Sequence, residues 1–368
     1  CRKQLSKAHH YDWGLRAMKA ILSTAGKQKR AHLEEREALL LVQCIIDNTR
    51  PRLISDDIPL FDGIVHDVFP DVTATKVIPE DIKNYLIQAF QNMGMQPLPN
   101  YLSKCNEILE TTVVRHGLMF VGGAMGGKTV AWKALKDALT NRAKDGTGMG
   151  VAIYALNPKS ISIPELYGLF DPVTSGWSDG VLSSHIRDCS ASEPTEFKWI
   201  IVDGPVDSLW IETMNSLLDD NKVLCLSNNE RISLGNHVRL MFEVDDLSQA
   251  SPATVSRCGM VYFDPSSLPW VALADSWVQK MPEEHAELAK YLRELMDLYV
   301  PKLIQFAEID AKLMIGKNTL FYLNNTLKII DCYMDILRKP EMQAAADGEE
   351  AKEIDPLDVL LIIQHQPR

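Results

Sequence analysis

The stretch Leu118-Met119-Phe120-Val121-Gly122-Gly123-Ala124-Met125-Gly126-Gly127-Lys128-Thr129 decides how this chain is read. Its first four residues are apolar, preceded by Gly117, and predict a short buried strand. After Thr129, Ala131, Leu135, Ala138 and Leu139 fall on one face of a helical pattern running from Val130 to Leu139. A strand, a glycine loop, G-K-T and a helix form the setting in which a phosphate-binding P-loop is expected. A bare match to the loop spacing recurs in about one chain in a hundred of this length at ordinary glycine usage, so the flanks carry the weight. The chemistry needs these residue types. Gly122 and Gly127 let backbone N–H groups curl around phosphate oxygens with no Cβ in the way. Lys128 brings a positive charge to the β- and γ-phosphates, and the Thr129 hydroxyl is a ligand for Mg²⁺. The first turn of the helix adds a positive dipole end.

Such a loop needs an acid from a neighbouring strand to hold the metal's shell. Trp199-Ile200-Ile201-Val202-Asp203 has that form, and Asp203 is the candidate. A hydrolytic site of this kind commonly carries glutamate next, to polarise water, whereas here the next residue is Gly204. Without that carboxylate water is not positioned, and positioning is most of phosphoryl-transfer catalysis. Asp207 and Glu212 are the alternative bases, read otherwise as helix-start and surface residues. Asn228, after Val223-Leu224-Cys225-Leu226, is a candidate to orient a γ-phosphate or water, although Ser227-Asn228-Asn229 is also a plain turn signature. Arg257 stands just before an apolar strand. It can reach a neighbouring subunit's phosphate or form a surface ion pair, and residue chemistry alone favours the ion pair.

Outward from the loop, residues 76–270 alternate strand-like and helix-like runs, predicting an α/β domain with a mainly parallel sheet. The expected strands are Leu118–Val121, Val151–Leu156, Trp199–Val202, Val223–Leu226, Val238–Val244 and Met260–Phe263. Most are continuous apolar runs, as for strands covered on both faces. Residues 1–75 predict a small helical unit and connector, with Leu15, Met18, Ala20, Ile21 and Leu22 on one apolar face. Residues 271–368 predict helices again, over Leu288–Phe306 and Leu320–Leu337, with an exposed loop or frayed helix at 343–355. The segment from Met95 to Tyr101 is either a base pocket or core.

The chain has 368 residues and a net charge of −11, which disfavours general nucleic-acid binding. No apolar run is long enough to span a membrane. Seven cysteines without C-x-x-C predict free thiols and no zinc, with Cys225 and Cys258 expected buried. His9-His10 is expected to be a solvated pair. A first residue of Cys1 predicts a piece of something larger.

Several longer strings go beyond the loop. His10-Tyr11-Asp12-Trp13-Gly14-Leu15-Arg16-Ala17, Val114-Arg115-His116-Gly117 and Asn157-Pro158-Lys159-Ser160 are three of them. Leu166-Tyr167-Gly168-Leu169-Phe170-Asp171-Pro172-Val173, Trp177-Ser178-Asp179-Gly180-Val181 and Asp203-Gly204-Pro205-Val206-Asp207-Ser208-Leu209-Trp210-Ile211-Glu212 are three more, the last continuing to Lys222. In these the chain resembles the AAA+ motor ring of dynein heavy chains over most of its length. The resemblance implies the small domain of the first AAA+ module followed by the second module, an α/β large domain with a helical small domain. It implies Mg·ATP bound by Gly122, Gly127, Lys128, Thr129 and Asp203, with Asn228 as first sensor, in a site that does not hydrolyse. It implies Arg257 as a finger, and Arg16 as a second sensor, for a nucleotide whose own P-loop lies upstream of Cys1. The partners it implies are the other AAA+ modules of the heavy chain, the microtubule through parts outside this chain, and dynein intermediate and light chains. Neither nucleic acid nor membrane is among them. The setting is cytoplasm and cytoskeleton, with an axonemal parent favoured. An independently active P-loop ATPase and a scaffold without nucleotide are the competing readings.

Overall fold

The structure is a computed structural model, and it describes residues 1, 3–8, 10–72, 78–309 and 319–347. It divides into two compact units, one of residues 1–93 with 97–267, the other of residues 94–96 with 268–368.

The first unit opens with helices α1 (Leu15–Ala31), α2 (Glu37–Thr49), α3 (Asp57–Val68), α4 (Glu80–Asn92) and α5 (Pro99–Val114). Strand β1 (Gly117–Val121) leads through the glycine loop into α6 (Lys128–Lys144), followed by β2 (Val151–Leu156). Next come α7 (Ile163–Tyr167), β3 (Gly168–Phe170), β4 (Trp177–Asp179), α8 (Val181–Ala191) and β5 (Phe197–Asp203). Short helices α9 (Ser208–Ile211) and α10 (Asn215–Leu218) precede β6 (Val223–Cys225), β7 (Arg231–Ser233) and β8 (Val238–Val244). One more short helix, α11 (Pro252–Val255), precedes β9 (Gly259–Tyr262).

Five strands form the central sheet in the order β2-β5-β8-β1-β9, every pair parallel. Parallel strands are stable when helices bury both faces, and β1 is buried at all five positions. Leu240, Met241 and Phe242 of β8 are likewise fully buried. The face of α6 expected to pack does so, with Ala131, Leu135, Ala138 and Leu139 all buried.

One expected strand is corrected. Residues Val223–Cys225 pair antiparallel with Arg231–Ser233 in a two-stranded hairpin outside the sheet. A three-residue apolar run carries no information about its partner, and the turn at 227–229 folds it back on itself. Asn229 in that turn has φ 66, a left-handed conformation that asparagine tolerates.

The N-terminal helices pack into the same unit as the sheet. His10 is buried, receives its ring contact from Tyr262 (centroids 5.0 Å apart, stacked) and bonds the Arg52 carbonyl through Nε2 at 2.9 Å. The expectation of a solvated pair therefore fails for His10, and His9 lies outside the described residues. Ser6 and Tyr11 close on the buried Asp57 to form a latch in this segment: Tyr11 Oη donates to Asp57 Oδ2 at 2.7 Å. The apolar stripe of α1 is turned the other way. Leu15, Met18 and Leu22 are exposed, and α1 buries no residue fully. Nothing among the described residues covers that stripe, and α1 instead lays its Gln28 side against Cys44 of α2.

The second unit comprises α12 (Trp270–Gln279), α13 (Ala286–Ile309) and α14 (Thr319–Asp347). Ala274, Met296, Leu323 and Leu327 make its core. Arg293 of α13 ties it to α12 through Asp275 at 2.6 Å. Of the segment 343–355, residues up to 347 lie in α14 and the rest fall outside the described residues.

Candidate functional site

The P-loop leaves the carboxyl end of β1. The Gly122 amide donates to Val244 of β8 and the Val121 carbonyl accepts from Phe263, so neighbouring strands grip the loop entry from both sides. Gly122 has φ 151, and a Cβ there would sit 1.9 Å from the Phe263 carbonyl oxygen. Gly127 has φ 82, and its Cβ would sit 2.0 Å from Tyr101 Oη. Both positions are closed to any side chain, which is the physical content of the glycine pattern. Tyr101 is buried and donates to the Gly126 carbonyl at 2.5 Å. Burial pushes its hydroxyl well above the usual phenol range, so it stays a donor. The segment ending at Tyr101 thus supplies a brace under the loop, a role that neither of its two readings, base pocket or core, specified.

Lys128 begins α6 and is buried, donating to the Gly122 and Gly123 carbonyls and lying 3.2 Å from Asp245 Oδ1. The Thr129 hydroxyl donates to Glu243 Oε1, and Trp132 Nε1 donates to Glu243 Oε2 at 3.0 Å. Glu243 is 7% exposed. Asp203, at the end of β5, lies beside Glu243 in register. Its carboxylate is exposed and accepts no hydrogen bond among the described residues. Donors closing on a cradle that no Cβ can enter, with hydroxyl and carboxylate oxygens at its rim, fit a nucleotide's phosphates and a hard divalent cation. No group of three His, Cys, Asp or Glu that could hold a metal occurs among the described residues. A cation here needs the phosphates as partners.

Gly204 donates its amide to the Glu243 carbonyl at 3.3 Å. A Cβ at Gly204 would meet Asn157 Oδ1 and Pro158 Cδ, both at 3.1 Å. The two alternative bases are differently placed. Asp207 caps α9 through the Leu209 amide at 2.9 Å and pairs with Lys159 Nζ at 2.5 Å. The Lys159 hydrogen bond, then the Leu209 amide, hold its carboxyl below the usual range, which makes it a poor proton acceptor. Glu212 is exposed.

Asn228, the first-sensor candidate, lies outside the central sheet. It sits in the β6–β7 turn, where its Oδ1 accepts from the Glu230 amide at 2.9 Å. Glu230 is in turn held by both Nη atoms of Arg187. The strand between β1 and β5 is β8, so the polar residues at the sheet edge beside the loop are Glu243 and Asp245. The signal for Glu243 was present as a lone acid inside the apolar run Leu240-Met241-Phe242-Glu243-Val244.

Arg257 and Arg16 come together. Arg257 Nε lies 2.7 Å from Asp219 Oδ1, and Arg16 Nη2 lies 3.5 Å from the same oxygen. Arg16 Nη1 also donates to Ser256 Oγ at 3.0 Å. Two guanidinium groups share one carboxylate, so that carboxylate leaves a positive charge over. This corner lies at the amino ends of the strands. Arg257 precedes Gly259, which pairs with Leu118 near the start of β1, while the P-loop leaves the far end. One strand of this length separates them by roughly 13 Å.

All seven cysteines are free thiols, as expected. Cys258 is buried, and burial pushes its thiol up to about 12. Cys225 is exposed, contrary to expectation, because alternation along the hairpin points it outward. No helix among the described residues is long and apolar enough to cross a membrane.

A central parallel sheet in this strand order, a P-loop after β1 and an acid-tipped neighbouring strand define a P-loop α/β module of the AAA+ type. Comparison with known proteins narrows the class. Residues 1–129 match the profile for the hydrolytic ATP binding site of the dynein motor region, and residues 117–258 match the AAA domain of the dynein-related subfamily. Human dynein axonemal heavy chain 3 is 39% identical over 355 residues, 95% of this chain and 9% of that protein. Mouse dynein axonemal heavy chain 12 is 42% identical over 321 residues, 85% of this chain and 10% of that one. Human dynein axonemal heavy chain 2 is 42% identical over 312 residues, 84% and 7% respectively. The chain belongs to the dynein heavy-chain family, as an AAA+ fragment spanning about a tenth or less of the length of these relatives. These relatives are named as axonemal heavy chains.

Proposed function

We propose that this chain binds Mg·ATP without turning it over, as a regulatory and structural module of a microtubule motor. Gly122, Gly127 and Lys128 hold the phosphates, and Thr129 and Asp203 serve the Mg²⁺ that arrives with them. When bound, the ion neutralises phosphate charge. The observation that carries the reading is Gly204, which puts hydrogen where a water-positioning carboxylate is needed, beside an intact Lys128 and Thr129. Retained ATP stabilises the folded module by mass action and fixes its geometry for its neighbours.

Arg257 serves as a finger, and Arg16 as a second sensor, for the nucleotide of the preceding module. Their convergence on one acid at the end of the strands opposite this chain's own loop supports a target outside this chain. The partners that follow are the adjoining AAA+ modules, the microtubule through other parts of the heavy chain, and the intermediate and light chains of the complex.

The test is a paired measurement on the purified chain: bound nucleotide after denaturing extraction, then phosphate release with added Mg·ATP. The expected result is co-purified ATP, negligible release, and loss of the bound nucleotide in Lys128→Ala. Sustained release that disappears in Asp207→Asn or Glu212→Gln would overturn it in favour of an independent ATPase.

A further inference from the structure

We propose that Glu243, and not Asp203, is the positioning residue that orients the Thr129 hydroxyl toward the nucleotide's Mg²⁺. The inference rests on the nucleotide-binding reading above and deepens it. A threonine hydroxyl has one proton and two acceptor lone pairs. Here the proton goes to Glu243 Oε1, which leaves the lone pairs for a cation that takes oxygen ligands. The opposite arrangement, with the proton turned toward the cation, is repulsive.

Glu243 is itself held. Its second oxygen accepts from Trp132 Nε1 at 3.0 Å. Trp132 stands three residues after Thr129 on α6, so one helix face supplies both donors. A nearly buried carboxyl group is costly unless its oxygens are hydrogen-bonded, and both of these are. The acid is therefore locked between the P-loop helix and the strand next to β1. Asp203, one strand further from β1, is exposed and receives nothing from Thr129. It would be left to serve the ion through water instead. Strand order across the sheet explains the exchange of roles, since β8 lies between β1 and β5.

The experiment strips co-purified nucleotide from the 368-residue chain, then titrates ATP into it by calorimetry, once with excess Mg²⁺ and once with EDTA, and reads the ratio of the two affinities. Groups behind a metal ligand typically tune metal affinity by about 10–100-fold. The amide in Glu243→Gln can accept from only one of the two donors and opposes the other. It is expected to lower the ratio by about tenfold while the metal-free affinity stays within about twofold. Asp203→Asn is expected to lower the ratio less than Glu243→Gln does. An equal loss with and without metal, an unchanged ratio, or a larger effect from Asp203→Asn overturns the proposal. Should Glu243→Gln fail to fold by thermal denaturation, Trp132→Phe carries the test. It releases one oxygen of Glu243 and is expected to lower the ratio by about threefold, and no change there overturns the proposal. Wild-type chain that binds no ATP in either condition defeats the nucleotide-binding reading itself, and this one with it. Binding that is present but insensitive to Glu243 defeats only this one.

Discussion

At the scale of single residues, the P-loop is shaped as much by what lies beneath it as by what it is built to hold. Tyr101 packs against Gly127 so closely that a methyl group cannot be added without moving the ring. Gly127 also has a positive φ that L side chains rarely adopt. Gly127→Ala therefore meets two separate penalties, a left-handed backbone costing about 1–2 kcal/mol and a clash with a buried ring. We expect it to lower stability by about 3 kcal/mol, measured by urea denaturation, with about half of that cost removed in a Tyr101→Ala background. Additive losses would mean that the ring gives way freely and that only the backbone matters. This part of the site was legible in the sequence, because a glycine pattern reports where backbone must approach backbone. The Tyr101 brace was not, since a tyrosine in an apolar stretch reads the same whether it lines a pocket or supports a loop. Glu243 was missed for a related reason. Chain order pointed to Asp203, at the tip of the next long apolar strand, whereas the strand beside β1 comes later in the chain.

At the scale of elements, the buried strands were legible because continuous apolar runs with helices between them have one common solution, the covered parallel sheet. The hairpin β6–β7 was not, because Val223-Leu224-Cys225 has the local look of a sheet strand and only long-range pairing separates the two. Its turn residues were nonetheless in view, and in that turn Asn228 accepts from the Glu230 amide. The N-terminal segment shows a different kind of local device. Asp57 accepts from the Ser6 amide and hydroxyl and from Tyr11 Oη, joining the first residues to α3 across about fifty positions of chain. Burial pushes the Tyr11 hydroxyl up to about 12 from 10.0. A folded-state value above the unfolded one means the folded state holds its proton longer, so this stability is complete below about pH 10 and declines toward about pH 12. Burial opposes ionisation of Asp57, yet the Ser6 and Tyr11 hydrogen bonds outweigh it and hold its carboxyl below the ordinary 3.8. That contribution is present above pH 3.8 and is lost as pH falls through the lowered value. Thermal unfolding followed against pH should show both flanks. Tyr11→Phe should weaken the alkaline one, to which the buried Tyr101 and Tyr167 also contribute, and shift the acid one toward the ordinary carboxylate range. An alkaline flank left unchanged in Tyr11→Phe would assign it to those other groups.

At the scale of the whole α/β unit, the P-loop and the Arg16–Arg257 pair stand at opposite ends of the strands of one sheet. The P-loop leaves the carboxyl ends of the strands, and Arg16 and Arg257 meet at Asp219 near the amino end of β1. The sheet that separates them is packed core, with Leu118, Met119 and Phe120 of β1 buried completely. Sites more than about 7–10 Å apart that share no partner behave additively unless a bistable element links them. Arg257→Ala should therefore leave ATP affinity at this chain's own loop within about twofold, while Lys128→Ala abolishes it. Asp219→Asn separates the possibilities further. It removes the carboxylate that both guanidinium groups share, freeing two positive charges for an incoming phosphate at the cost of a partly buried ion pair. Stability should fall by about 1 kcal/mol, discounted because Arg16 and Asp219 are each a third or more exposed or close to it. In a longer heavy-chain segment containing the preceding P-loop, the same variant should tighten nucleotide binding at that upstream site, and Arg257→Ala should weaken it. Both affinities can be read by titrating a fluorescent ATP analogue with Lys128→Ala present throughout, so that only the upstream site responds. If Asp219→Asn instead changes affinity at this chain's own loop, the two ends are coupled through the sheet, and the arginines act within the module that carries them.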